Sequence, residues 1–330
     1  MRTVLGFGVL ALLLILLSLA YLATGSYSLP LGEVVSALLG NGGEEAGTVV
    51  LEIRLPRLLG ALMTGAALSL TGAVMQSIFN NPLVSPDILG VSSGAACGAA
   101  AALVLGLGAP AAAFSSFAGG MLAVTVALLL ARMAGGGGVL LLVLAGIVVA
   151  AFFSGVVELI CALNPRAEEF PSILFFLFGS MARMTQGDLA VLVLALLPGA
   201  LLLWRLGFAL DVMSLGEADA AGLGLPAGRL RLMAVILCSV ICGLFISRVG
   251  IIGWVGLVVP HLARIWFGFR HRILLPASML LGAVLLVGVD LICRSLFTYE
   301  LPLGVITSIL GAPVFAVVLC RNAGRRDGTC

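Results

Sequence analysis

Few residues in this chain are equipped for chemistry, and their placement narrows what they can do. The seven cysteines (Cys97, Cys161, Cys238, Cys242, Cys293, Cys320 and Cys330) are scattered, mostly in apolar runs, with no CxxC pair. Cys238 and Cys242 share a helix face at i,i+4, yet two thiols alone make no zinc site. The histidines, His261 and His271, stand ten apart with no HExxH,. No catalytic residue and no metal site are expected, and neither histidine has a visible nucleophile to serve. All 17 basic residues are arginine. Without a lysine the chain cannot contain a GxxxxGK[ST] phosphate loop. If nucleotide energy drives it, another chain binds the ATP and Mg, and this one carries no cofactor. The arginine-only bias itself reads as genomic composition ahead of any functional reading.

The remaining candidates are charges inside apolar sequence. Glu158, Asp188 and Asp290 lie close to or within long hydrophobic runs, where an ionisable group is a functional candidate by default. All three fall near predicted span ends. That placement suits an ion-coupled carrier poorly, since it would want an acid near mid-span. Gln76, inside another run, reads as a hydrogen bonder between helices.

The elements that must position these residues are membrane helices. The chain is 62% hydrophobic and 10% charged, with a mean hydropathy of +1.25, against about 25% charged in soluble domains. A hydrocarbon core of ~30 Å needs about 20 apolar residues per helix. The apolar runs do not alternate as barrel strands do. The expectation is an all-α polytopic membrane protein, a single domain over 1–330, with about ten spans. These are 4–23, 55–78, 88–107, 111–132, 139–162, 187–206, 230–247, 250–266, 272–296 and 303–321. The piece 250–266 is broken by glycines and Pro260, so it is short or kinked. The apolar piece 172–181, after the polar stretch Asn164 to Pro171, is too short to span and reads as re-entrant or interfacial.

With the N-terminus inside, the even span count puts both termini in the cytoplasm. Eleven arginines then lie inside and six outside, as the positive-inside rule prefers. The outer six (Arg54, Arg57, Arg166, Arg183, Arg248 and Arg294) run against that rule and call for a reason. Residues 60–98 and 235–264 each pair a small-residue helix with a Gly/Pro-broken segment, a faint repeat of the kind transporters use.

Four stretches carry more specific patterns. Gly90, Gly94 and Gly98 form overlapping GxxxG motifs, and Gly65, Ser69 and Gly72 continue the small-residue theme one span earlier. Such residues let helix backbones approach closely. They read as packing or as the lining of a pathway, and Ser92 and Ser93 stand at the same place. Between the two spans, Ser85-Pro86-Asp87 offers a cap, a first-turn proline and an acid for a helix start. In 207–229, Ser214 and Glu217 have the spacing of a capping box. A short helix through Ala218 and Asp219 would follow, stopped by Gly222, Gly224 and Pro226. It reads either as a solvated loop or as a surface helix pressed into a partner.

Taken in order, these stretches resemble the FecCD-type permeases, the transmembrane subunits of ABC importers for ferric siderophores, haem and cobalamin. RLPR at 54–57 and GAALSLTGAVMQSIFNNPLVSPDILGVSSGA after it are close to that family's signature. SLGEADAAGLGL at 214–225 resembles its coupling segment. GIIGWVGLVVPHLAR at 250–264 and ELPLGVITSILGAPVF at 300–315 resemble its C-terminal signatures. The resemblance implies the type II importer permease fold of ten helices and a dimer, most simply a homodimer, around a central pathway. It also implies two ATPase subunits and an extracytoplasmic solute-binding protein, in a bacterial or archaeal cytoplasmic membrane. No nucleic-acid partner is expected. By motif position, Arg54, Arg57 and Arg294 would dock glutamates of the binding protein; the alternative is interfacial snorkelling. Ser214, Leu215, Gly216, Glu217, Ala218 and Asp219 would meet the ATPase. Iron siderophore, haem, cobalamin and molybdate remain open as substrates. An ion-coupled secondary transporter is the alternative outside the family.

Overall fold

Among the described residues every regular element is a helix, and ten of the helices follow the apolar runs. The computed structural model describes residues 2–25, 27–135, 138–163, 170–295 and 300–326. The expected turn at Asn164, Arg166 and Glu169, and the last cysteine, Cys330, lie outside these. The elements are α1 (Arg2–Ala23), α2 (Leu31–Leu38), α3 (Glu44–Gly47), a π-helical stretch Thr48–Arg54, α4 (Leu55–Ile78), a 3₁₀ turn Pro86–Leu89, α5 (Val91–Val104), α6 (Gly108–Met133), α7 (Val139–Leu163), α8 (Phe170–Phe178), α9 (Gln186–Arg205), α10 (Gly207–Met213), α11 (Glu217–Gly222), α12 (Ala227–Val249), α13 (Val255–Phe267), α14 (His271–Ser295) and α15 (Leu303–Arg326). Among the described residues, seven helical stretches are long and apolar enough to cross a membrane, and α5, α13 and the Leu303–Val317 part of α15 are shorter apolar helices. The protein is a multi-pass, all-helical membrane protein.

α4 is the centre. Nearly all of its residues are buried, enclosed mainly by α14, α13, α12 and α9. Its small residues make that possible. A methyl group at Gly65 would overlap the carbonyl of Gly282 on α14, and one at Gly72 would overlap that of Gly256 on α13. Ser69 lies in the same seam against Gly282. Lipid tails are as apolar as leucine, so helices gain little by hiding apolar surface from lipid, and such backbone proximity supplies the attraction instead. By contrast little of the α1 span is buried, and it displays Val4, Leu5, Leu12 and Ile15 outward, as a lipid-facing helix should.

Two expectations about segment shape are corrected. The run 88–107 is not one helix. A 3₁₀ turn ends at Gly90, whose φ of 81° is left-handed, and α5 starts afresh at Val91. Gly90 therefore leaves the GxxxG face and makes the turn, a backbone conformation that glycine adopts without a steric cost. Gly94 and Gly98 remain on α5, pressed against the carbonyls of Gly119 and Ser115 on α6. In the segment after α9, α11 is the short helix expected through Ala218 and Asp219, and α10 is a further helix where the sequence suggests a polar loop.

The short α8 ends in a backbone junction. Ser180 N donates to Val249 O at 2.8 Å, Ile251 N to Phe176 O at 3.0 Å and Leu303 N to Gly179 O at 3.0 Å. Irregular backbone in a membrane protein has to find such partners within the protein. The junction joins the ends of α8 and α12 to the starts of α13 and α15. The interruption at 250–254 and Pro260 inside α13 agree with the short, broken eighth span.

Candidate functional site

α4 and α14 run antiparallel, so their ends define two poles. Arg57 and Ser77, one at each end of α4, are separated by about 30 Å of helix. Arg57 lies beside Asp290 near the end of α14, and Ser77 beside His271 at its beginning.

At the first pole the charges are arranged against one another. Arg57 Nε and Nη2 donate to the two carboxylate oxygens of Asp290 at 2.9 and 2.8 Å. Its Nη1 donates to Glu300 Oε1 at 2.5 Å. Tyr21 Oη donates to Asp290 at 2.5 Å. Arg54 donates to the carbonyls of Leu22, at 2.6 Å, and Tyr27. Arg294 donates to the carbonyls of Tyr21 and Thr24 and lies 3.8 Å over the Tyr21 ring, a cation–π contact. The fork of an arginine matches a carboxylate in this two-bond way.

This geometry corrects the picture of RLPR as a row of rim cations. Arg54 is 4% and Arg57 8% exposed, and Asp290 is fully buried. A guanidinium at the end of an apolar helix is stable only with acceptors. Here the end of α1 and the side of α14 provide them. Arg294 is half-buried. Arg248 is paired with Asp188 at 2.9 Å, and Arg166 is outside the described residues. Arg183, in the turn before α9, is exposed, and its neighbour Met184 packs on Gly60 of α4, which puts it at this same pole. Asp188 has a second task. With Thr185 it forms a complete capping box at the start of α9.

The second pole is built differently. The predicted box at Ser214 and Glu217 does not form. Ser214 closes α10, its Oγ donating to Asp211 O at 2.6 Å. Gly216, with φ of 127°, is the N-cap of α11, so Glu217 is the first helical residue and not the third. The serine cannot start a helix because a preceding one is still ending there. Val212, Met213, Ala220 and Ala227 make a small apolar cluster of their own. Outside it, Leu215 and Leu223 are 64% and 65% exposed, flanked by exposed Ala218 and Asp219.

Between the poles, the small residues named in the sequence face protein. Gly65, Ser69, Gly72, Gly94 and Gly98 meet neighbouring helices as described above. Ser92 Oγ donates to Asp87, and Ser93 Oγ to Gly90 O at 3.2 Å. These residues hold the turn at the start of α5.

Sequence reasoning missed one constellation entirely. His271 Nδ1 lies 2.6 Å from Asp211 Oδ1, and its Nε2 lies 2.5 Å from Ser77 Oγ. The three residues are far apart in sequence, and only the fold brings them together.

Residues 11–321 match the FecCD transport family. The chain belongs to that family. It is therefore an ABC transporter permease, a transport subunit whose ATPase is a separate chain. Its FecCD relatives carry different cargo names. The permease named for iron chelatin transport in Helicobacter pylori is 37% identical over 96% of this chain and 98% of its own. The vitamin B12 import permease BtuC of Klebsiella pneumoniae is 37% identical over 96% and 93%. The molybdate import permease MolB of Haemophilus influenzae is 34% identical over 94% of each. A solved structure, described as an inward-facing conformation of a metal-chelate type ABC transporter, superposes with a TM-score of 0.87. It is 34% identical and covers 96% of this FecCD permease and 99% of its own chain.

Proposed function

We propose that this FecCD permease forms the translocation pathway for an iron-siderophore or a related metal chelate such as haem or cobalamin. The cargo is delivered by an extracytoplasmic solute-binding protein, and the step is driven by two ATPase subunits that hold the ATP and Mg. The permease pairs with a second copy in a bacterial or archaeal cytoplasmic membrane, both termini inside. The carrying observation is the near full-length likeness to a metal-chelate type transporter. The exposed leucines of α10–α11 support an ATPase contact there, because Leu215 and Leu223 are unfavourable on a polar surface and favourable in an interface core.

On this reading the binding protein approaches the arginine pole. Arg183 and Arg294 present the cationic rim, while Arg54 and Arg57 hold the rim's shape from beneath. Rim charges of this kind mainly steer and orient a partner. Asp290, locked by Arg57 and Tyr21, offers no free acid for ion coupling.

The test is reconstitution in liposomes with the ATPase and binding protein. Ferric siderophores, haem, cobalamin and molybdate are supplied in parallel. ATP-dependent uptake of a ferric siderophore, haem or cobalamin is expected. Uptake of molybdate alone would overturn the substrate class. Uptake without the ATPase would favour an ion-coupled carrier.

A further inference from the structure

We propose that Asp211, His271 and Ser77 form a hydrogen-bonded linkage that transmits movement of the α10–α11 segment to α4, making them positioning residues for transport. The inference rests on the reading of α10–α11 as the ATPase contact.

The linkage begins in α10. Asp211 Oδ1 accepts from both the backbone N of His271, at 2.8 Å, and its ring Nδ1, at 2.6 Å. One carboxylate oxygen thus grips the first residue of α14 by main chain and side chain together. It also satisfies a donor that a helix start leaves without an intrahelical partner and places negative charge at the positive end of the helix. His271 is 2% exposed and passes the connection to Ser77, in the last turn of α4.

Two further contacts hold the same region. Gln76 Nε2 donates to Leu257 O at 3.1 Å, and Arg264 donates to Gln76 Oε1, so α13 grips the end of α4. Trp204 Nε1 donates to Arg272 O at 3.1 Å, tying the end of α9 to α14.

Ser–His–Asp is also the order of a hydrolytic triad, and that alternative fails on access. Ser77 is 4% exposed, and its Oγ is turned back 2.9 Å from Ala73 O within α4. A substrate cannot reach it. The connection is also indifferent to the charge of the ring. Neutral His271 donates through Nδ1 to Asp211 and accepts at Nε2 from Ser77. Protonated, it donates through both nitrogens, and the serine proton turns to Ala73 O.

Asp211 is the direct hydrogen-bonded route from α10 to α14. Leu210 belongs to the main core, but the buried side chains beyond it form their own small cluster with α12. Force applied at Leu215 to Asp219 reaches α14 through Asp211, and reaches α4 both through α10 and by way of α12, which packs on α4. Coupling between distant sites travels through contiguous packed and hydrogen-bonded groups of this kind.

The experiment measures ATP hydrolysed per substrate imported by the complete transporter in liposomes. Asp211→Ala is expected to assemble with the ATPase and hydrolyse ATP near the wild-type rate, while the ratio rises about tenfold. Asp211→Asn keeps an acceptor oxygen facing both N–H groups and should restore the ratio. If Asp211→Ala does not assemble, Ser77→Ala, which removes one oxygen atom, carries the same expectation, with Ser77→Thr as its rescue. An unchanged ratio, or a rise that the conservative variant fails to rescue, overturns the proposal. A parallel pull-down separates the two readings. If Leu215→Ser with Leu223→Ser retains the ATPase, the ATPase-contact reading fails and takes this inference with it. If that variant loses the ATPase while Asp211→Ala keeps a normal ratio, the linkage alone is wrong.

Discussion

The two poles of the α4–α14 pair differ in what they leave exposed. At one, Arg54, Arg57, Tyr21, Asp290 and Arg294 hydrogen-bond to each other and to carbonyls at the end of α1, with Arg294 Nε left over. At the other, α10 and α11 satisfy their backbone but leave Leu215 and Leu223 in the open. A pole that satisfies itself gains rigidity. A pole that exposes apolar side chains on a short helical pair fits the partner contact proposed above. The lesson is that a run of arginines against the positive-inside trend need not be a binding surface, whereas two exposed leucines among small residues can be.

The largest effect should come from the self-satisfied pole. Asp290→Ala leaves the buried Arg57 guanidinium with only Glu300 as a partner, and removing one partner of a buried pair costs up to about 3–5 kcal/mol. Thermal unfolding in detergent should show a strongly lowered midpoint, and an unchanged midpoint would mean that the pair does not hold this pole together. Next is Gly98→Leu. Its side chain would meet the carbonyl of Ser115, forcing α5 from α6 at about 1–3 kcal/mol, readable in the same assay. The smallest effect is expected from Arg183→Glu, which reverses an exposed charge. Folding should be untouched, and association with the binding protein should slow, more at low salt than at high. Charge reversal at Arg57 is the uninformative version of that test, because it damages the fold first.

Much of this was legible from sequence, because spans are local. Apolar runs, Gly–Pro interruptions and the break before α13 all express themselves within about 20 residues. The pairings were not. Arg57 and Asp290 are 233 residues apart, Ser77 and His271 194, and Asp211 and His271 60. Asp290 could be flagged as a charge in an apolar helix, but nothing local names its partner. His271 looked idle for the same reason. The capping boxes show a subtler limit. Thr185/Asp188 and Ser214/Glu217 have the same spacing, yet only the first forms, since it follows an open turn. Ser214 is still occupied in ending α10.

The contrast between the poles is tested most directly at the open one. Leu215→Ser with Leu223→Ser replaces two exposed side chains, and substitutions at such sites usually change stability by less than about 0.5 kcal/mol. Co-purification of the ATPase with this variant, beside its unfolding midpoint, is the decisive measurement. The account predicts that the ATPase is lost while the midpoint stays at the wild-type value. Full retention of the ATPase would contradict it.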